Sequence, residues 1–185
     1  VGKDFGWKID DDSNVTKVSA FMVNEEKIGV YQNCGKKDWW ADKLPANVTI
    51  YPTINELKNS DSKGYLIITD EIVDDNSLLQ NAVVYRPPSL VVGVGLHWDT
   101  AKGTIKDGLM SCMNKFKLSE KSIARFVSIK KEKDVAGLVE LAKEMSKPIQ
   151  HFEKEELASI STPNPSKTVQ TFEGTPSVSE AAAIK

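Results

Sequence analysis

The chain has 185 residues, enough for one large domain or two small ones whose cores need no disulfide or metal to be stable. Hydrophobic residues make up 40% of the chain and charged residues 27%, as in an ordinary globular protein. The formal net charge of −2 argues against nucleic acid or an anionic membrane as the partner, because both attract basic surfaces.

The chain carries no signal for a membrane or for secretion. No apolar run approaches the roughly 20 residues that cross a bilayer, and the first residues lack the apolar stretch of a secretory leader. Cys34 and Cys112 match no metal or redox spacing, and two separate thiols are typical of a reducing compartment. We therefore expect a cytoplasmic protein that has no membrane partner.

The first half predicts a mixed α/β domain. Residues 15–23 carry an imperfect apolar alternation and predict a strand, which a turn at 24–26 joins to a hairpin partner at 28–31. Apolar, β-branched runs predict further strands at 48–51, 65–69 and 82–85, and residues 54–57 predict a helical turn.

Arg86-Pro87-Pro88 is the strongest break in the pattern, and we expect a domain boundary there, between residues 1–84 and 85–185. Strands at 90–94, 126–129 and 148–152 alternate with helices at 101–116, 120–124, 135–145 and 155–160. This alternation predicts a three-layer α/β domain with a largely parallel or mixed sheet, preceded by a smaller mixed α/β domain. The first of these helices should bury one face, formed by Ile105, Leu109, Cys112, Met113 and Phe116.

Gly93 and Gly95 end a predicted strand, and Asp99 or Thr100 can cap the helix that follows. Free backbone N–H groups and the positive helix end would suit a carboxylate or phosphate there. The alternative is that these glycines let a helix pack on the sheet. A dinucleotide fingerprint would need a third glycine at position 98, which is Trp98.

Two later segments predict helix starts. Thr162-Pro163-Asn164-Pro165-Ser166 forms a rigid turn, with Ser166 as the cap of the next helix. In the segment from Gly174 to Ala183, Gly174 ends that helix and Thr175 or Ser177 caps another. Glu180 then falls in a first turn, where its charge suits the helix dipole, so a structural role is favoured over a catalytic one.

The remaining candidates have simple explanations. His97 and His151 lie at no ligand spacing, so no protein-bound metal is expected. Trp39-Trp40 suits stacking on a flat macrocycle, although a half-buried surface pair explains it as well. The mixed-charge run at 130–134 predicts a solvated turn.

Together and in this order, the segments at 86–95, 137–142, 162–166 and 174–183 resemble the C-terminal domain of the cobalt-precorrin 5A hydrolase (CbiG) family and its freestanding relative CobE. Residues 1–84 are similar to the family's middle region. After Gly95 the family continues with Cys and basic residues, whereas this chain has Leu96-His97-Trp98-Asp99. Full-length members begin with a further domain, so we expect the middle and C-terminal parts of such a hydrolase.

The resemblance implies an activity in cobalamin biosynthesis, the opening of the ring-A δ-lactone of cobalt-precorrin-5A with release of acetaldehyde. It implies no cofactor of the protein's own, because cobalt arrives with the substrate. Other enzymes of the pathway and a second copy of the chain remain candidate protein partners. The catalytic candidates are Glu180, Asp99 and His97, in that order. The candidates for substrate binding are Arg86, Gly93, Gly95, Thr100, Asn164, Ser166, Thr175 and Ser177.

Two alternatives stay open. The C-terminal domain would act as a corrinoid-binding carrier if it performs no turnover. A nucleotide-binding module that uses Gly93 and Gly95 is the third hypothesis, and the missing third glycine argues against it.

Overall fold

The computed structural model describes residues 5–40 and 43–185, which form two compact units. Unit 1 contains the described residues up to Ser89 together with Phe116–Ser122, and unit 2 contains Leu90–Lys115 and Ile123–Lys185. Unit 1 has a mixed sheet and unit 2 a parallel sheet, which confirms the predicted α/β class. Among the described residues, no helix is long and apolar enough to span a membrane.

Unit 1 is a five-stranded sheet with short helices. Its strand order is β1-β5-β4-β2-β3, and all neighbours are parallel except β1, which runs antiparallel to β5. The predicted strands at 48–51, 65–69 and 82–85 and the helical turn at 54–57 are confirmed. The elements are β1 (Lys8–Ile9), α1 (Val15–Val23), β2 (Ile28–Gln32), β3 (Val48–Tyr51), α2 (Ile54–Lys58), β4 (Gly64–Ile68), α3 (Asn76–Leu79) and β5 (Ala82–Arg86).

The predicted hairpin of residues 15–23 and 28–31 is wrong, because the first segment is the helix α1. Val18 is buried, and Val15, Phe21 and Met22 pack against the same core, so the apolar residues follow a spacing of three to four rather than two. The strand β2 lies instead between β3 and β4 and runs parallel to both. Packing has outweighed the strand propensity of the β-branched residues.

Trp39 belongs to the core of unit 1. It is only 7% exposed, and its indole N–H donates to the Gln32 side-chain oxygen at 2.7 Å. Trp40 meets it edge to face, with ring centroids 5.4 Å apart, and is half-buried. These contacts favour the structural explanation of the tryptophan pair over stacking on a ligand.

Arg86 is the largest fully buried side chain of the described residues, with 1% of its surface exposed. Its Nε donates to the Asp10 carboxylate at 2.9 Å and Nη2 pairs with the same group. Nη1 donates to the carbonyl oxygens of Thr69, at 2.9 Å, and Glu71. The guanidinium thus joins the end of β5 to the segment after β4 and to the segment after β1. Its positive charge is balanced by the Asp10 carboxylate.

Polar groups gather where the parallel strands of unit 1 end. Cys34 follows β2, Asp70 follows β4 and Ser89 follows β5, and the Ser89 hydroxyl donates to the Asp70 carboxylate at 2.7 Å. Burial raises the pKa of the Cys34 thiol to about 11. Cys34 and Cys112 are both free cysteines. At neutral pH the Cys34 side chain is therefore a protonated thiol and not a nucleophilic thiolate.

The segment 116–122 completes unit 1 although it follows a helix of unit 2. Ile72 N–H donates to Lys117 O at 2.6 Å, Ser119 N–H to Asp70 O at 2.7 Å, and the Lys121 ammonium to Asp10 O at 2.7 Å. The predicted helix at 120–124 is wrong, because only Glu120–Ser122 form a 3-10 turn and a strand begins at Ile123.

Unit 2 is a parallel three-stranded sheet in the order β6-β7-β8. The predicted strands and the helices near 101–116, 135–145 and 155–160 are confirmed. The elements are β6 (Leu90–Gly93), α4 (Lys102–Lys115), β7 (Ile123–Ile129), α5 (Ala136–Glu144), β8 (Ile149–Phe152), α6 (Lys154–Ala158), α7 (Lys167–Glu173) and α8 (Val178–Ile184).

The buried face of α4 is narrower than predicted. Ile105, Leu109 and Met113 are buried, as expected from their spacing of four. Cys112 is exposed and Phe116 is 61% exposed, so the expectation that both belong to that face is wrong.

The helix α8 lies unusually close to β6, at Gly93. A Cβ atom at this position would meet the Ser179 carbonyl oxygen at 2.0 Å, far inside any real contact. The packing alternative for this glycine is therefore the one that the structure supports. Because backbone meets backbone here, a phosphate or carboxylate has no room at Gly93 itself.

We expect Arg86→Met to lower the free energy of unfolding by about 2–4 kcal/mol, because two carbonyl oxygens lose this donor and Asp10 keeps only the Lys121 ammonium, at 3.5 Å. Urea unfolding at pH 7 measures this loss. Lys63→Met removes the same charge from an exposed site of unit 1 and should change stability by less than about 0.5 kcal/mol. Equal losses in both variants would contradict the structural role of Arg86.

Gly93→Ala should destabilise unit 2 by about 1–3 kcal/mol, because α8 must move away from β6 to admit the methyl group. The matched control is Gly108→Ala in α4, where the added methyl group meets no atom within 4 Å apart from the neighbouring residues and the backbone of its own helix. That control should stabilise the helix by about 0.5–1 kcal/mol, since alanine is the better helix former. Calorimetric unfolding of both variants checks the opposite signs, and a neutral Gly93→Ala would refute the close approach.

In a Cys112→Ser variant, Cys34 should react slowly with iodoacetamide at pH 8, and the rate should keep rising towards pH 11 as the thiolate forms. The same variant unfolded in urea is the control, because its thiol should titrate near the ordinary value of about 8.5. Alkylation rates can be followed by mass spectrometry. A folded-state rate that levels off near pH 9 would disprove the raised pKa.

Candidate functional site

A cavity of about 280 Å³ lies at the carboxyl ends of the strands β6 and β7. The loop after β6 contributes Gly95 to His97, the end of β7 contributes Ile129 and Lys131, and the start of α8 contributes Ser177 to Ser179. Val169 and Glu173 of α7 complete the lining. Ligands of parallel α/β sheets usually bind at this edge, so the cavity is the candidate site.

Three residues predicted from the sequence line this cavity together, namely Gly95, His97 and Ser177. Ser177 caps α8, and its hydroxyl oxygen accepts the Glu180 N–H at 3.4 Å. A Cβ at Gly95 would lie 3.3 Å from the Val178 side chain, so the loop passes close to the start of α8. Because α8 packs at Gly93, Ser177 at the start of this helix lies close to the loop at Gly95.

His97 and Asp99 form a pair beside the cavity. The imidazole Nδ1 lies 2.6 Å from the Asp99 carboxylate, and this hydrogen bond lowers the pKa of the Asp99 carboxyl below its usual value. Thr100 donates its hydroxyl to the His97 carbonyl at 2.8 Å, which makes the loop a compact turn. With Asp99 on Nδ1, the other ring nitrogen is left for a ligand or a water molecule. The His97 side chain is 71% exposed and accessible from solvent.

The expected caps of α4 have other roles. The helix begins at Lys102, after Ala101, while the Asp99 carboxylate pairs with His97 and the Thr100 hydroxyl bonds backward within the loop. The residues that were expected to open an anion-binding helix start therefore hold the histidine instead.

Lys131 is a cavity residue that sequence reasoning missed. Its ammonium donates to the Leu96 carbonyl at 3.0 Å and pairs with Glu173 at 3.1 Å. The solvated-turn interpretation of residues 130–134 does not hold for this half-buried side chain. Lys131 lies two residues after the end of β7, at the same sheet edge as Gly95, but the sequence does not distinguish it from the neighbouring Lys130.

The other predicted residues explain how this part of unit 2 is held together. Glu180 accepts hydrogen bonds from the Asn164 N–H at 2.9 Å and from its side-chain amide at 2.6 Å. Ser166 caps α7 by accepting the Val169 N–H at 3.3 Å. Thr175 is fully buried and donates to the Leu157 carbonyl at 3.3 Å. Of the two cap candidates for α8, the structure uses Ser177 and not Thr175.

Arg86 and Gly93 are not brought into the cavity. Arg86 belongs to unit 1, where its guanidinium is buried against Asp10 and backbone carbonyls. Gly93 is covered by α8. No group of three or more His, Cys, Asp or Glu side chains that could hold a metal ion occurs within residues 5–40 and 43–185.

Comparisons with known proteins give the chain a family. A family model described as "Cobalamin synthesis G C-terminus" matches residues 90–185, and one described as "Cobalamin biosynthesis central region" matches residues 1–87. A Priestia megaterium protein named cobalt-precorrin-5A hydrolase is 35% identical over 99% of this chain and 50% of its own length. The chain therefore spans about half the length of this curated relative.

Two solved structures show weaker likeness. CobE, a protein of the cobalamin biosynthetic pathway, is 25% identical, with a TM-score of 0.49 over 53% of this chain and 71% of that one. A cobalamin biosynthesis protein G homologue from Sulfolobus solfataricus is 18% identical, with a TM-score of 0.41 over 98% of this chain and 50% of that one.

Proposed function

The chain belongs to the CbiG family of cobalamin-biosynthesis proteins, and on this basis we propose that it acts in the hydrolysis of cobalt-precorrin-5A. In this reaction water opens the ring-A δ-lactone to a carboxylate and a hydroxyl on the two-carbon fragment. The carbon–carbon bond that joins the fragment to the macrocycle then breaks, its electrons stay on the macrocycle, and the hydroxyl-bearing carbon becomes the carbonyl of acetaldehyde. The observation that carries the proposal is the 35% identity to a cobalt-precorrin-5A hydrolase along 99% of the chain. Cobalt belongs to the substrate, no further cofactor is proposed, and the reaction is assigned to the cytoplasm.

Opening a lactone in a macrocycle rich in carboxylates makes three physical demands. The site must hold the acidic side chains, place a water molecule, and stabilise the oxyanion that forms as water adds to the lactone carbonyl. The cavity at the carboxyl edge of unit 2 supports the proposal because it combines a cation, an imidazole and a hydroxyl, from Lys131, His97 and Ser177. It is too small for a whole corrinoid, so it would take one edge of the ring.

His97 is the general base of this proposal. Asp99 accepts from Nδ1, which fixes the imidazole so that Nε2 takes the proton of the attacking water. Asp99 is then the positioning residue. Glu180 moves down the order of candidates, because its carboxylate already holds the turn at Asn164. The Ser177 hydroxyl is the donor assigned to the oxyanion, since it lines the same cavity.

The test uses the full-length protein and cobalt-precorrin-5A, with acetaldehyde measured by coupled reduction and binding by the corrinoid spectrum. His97→Gln should lower kcat by about a hundredfold or more and leave binding nearly unchanged, because only proton transfer is lost. His151→Gln is the matched control, as this histidine lies on β8 and does not line the cavity.

The possible outcomes separate the hypotheses. Binding by the wild-type protein without acetaldehyde would favour the carrier alternative. If the corrinoid spectrum is unchanged on mixing, the proposed function fails. Equal activity of His97→Gln and His151→Gln would remove His97 from the reaction while leaving the hydrolase proposal standing.

A further inference from the structure

Lys131 places a positive charge inside the wall of the unit 2 cavity. Its side chain is 25% exposed, and its ammonium is held between the Leu96 carbonyl at 3.0 Å and the Glu173 carboxylate at 3.1 Å. The neighbouring Lys130 differs, because it pairs with Glu153 and does not line the cavity. Two adjacent lysines therefore have different surroundings, and only one of them faces the candidate site.

Glu173 is the carboxylate that pairs with the Lys131 ammonium. It is the last residue of α7 and precedes Gly174, which ends the helix in the left-handed conformation with φ 69°. The C-terminal end of a helix carries a partial negative charge, so a carboxylate there is disfavoured by the helix itself. The position of the Glu173 carboxylate is explained by the Lys131 ammonium across the cavity wall.

The pair leaves the cavity without a net fixed charge. The Glu173 side chain is 36% exposed, so solvent reaches it where it pairs with Lys131. Lys131 is less exposed and is also held by the Leu96 carbonyl, so it stays in place when the carboxylate leaves. When the Glu173 carboxylate leaves, the Lys131 ammonium remains in position and can pair with another carboxylate.

We propose that Glu173 occupies the place of a ligand carboxylate and that an acetate or propionate side chain of the corrinoid displaces it to bind Lys131. This rests on the proposed function, which supplies a ligand with such side chains. The exchange replaces one carboxylate by another, so the ammonium is never left unpaired in the cavity. It also makes the site selective, because an amide side chain brings no charge to compete with Glu173.

Two corrinoids separate this inference from the function on which it rests. Cobyrinic acid carries free carboxylates, and cobinamide has the same ring with amide side chains. With the full-length protein, Lys131→Met should weaken binding of cobyrinic acid about tenfold and change binding of cobinamide less than about twofold. Glu173→Gln should strengthen binding of cobyrinic acid about threefold, because it removes the competing carboxylate. Titration calorimetry at constant salt measures these affinities for the wild-type protein and for both variants.

Matched controls carry the same charge changes outside the cavity. Lys130→Met and the exposed Glu140→Gln should leave the affinity for both corrinoids within about twofold. Unchanged cobyrinic acid binding by Lys131→Met, or equal loss for both corrinoids, would overturn the exchange while the proposed function stands. If the wild-type protein binds neither corrinoid, the exchange is overturned, while the proposed function is decided separately by the titration with cobalt-precorrin-5A. The gain in Glu173→Gln keeps the test decisive even if Lys131→Met folds poorly.

Discussion

The site in unit 2 depends on a single close approach, between the backbone of α8 and Gly93. With a Cβ only 2.0 Å from the Ser179 oxygen, any side chain at this position would lift the helix from the sheet. The position of α8 sets the position of its cap Ser177, which lines the cavity beside the loop at Gly95. The glycine thus acts through shape, by setting the distance between two segments that a ligand would touch. Thr175, buried against Leu157, holds the segment that enters α8.

Much of the fold could be predicted, because parallel strands with both faces covered appear as continuous apolar runs such as Tyr65 to Ile68. The predictions failed where two signals compete. In α1 the β-branched residues favour a strand, while Val15, Val18 and Phe21 follow a helical spacing that burial rewards. Near Ser119 the cap pattern predicts a helix, but the chain must bond to Asp70 and then enter β7, so only a short turn forms.

The candidate site could be predicted in part, for a similar reason. Gly95, His97 and Ser177 stand out in the sequence because glycine, histidine and helix-capping serine carry local signals. Lys131 is hidden in a run of mixed charge, and its difference from Lys130 arises only from tertiary contacts. Arg86 is a binding candidate that only the resemblance implies, and the structure shows its guanidinium buried within unit 1. Its partner Asp10 is 76 positions away, and no local pattern reveals a pair so distant in sequence.

The discontinuous make-up of unit 1 has a consequence for the order in which a ribosome produces it. The strands of unit 1 emerge before unit 2, yet Asp10, Asp70 and Ile72 bond to residues 117–121, which are made only after the whole of α4. During synthesis, unit 1 therefore cannot be completed until the first elements of unit 2 have also left the ribosome. Until residues 117–121 are made, the backbone groups of Asp10, Asp70 and Ile72 lack these partners in the nascent chain.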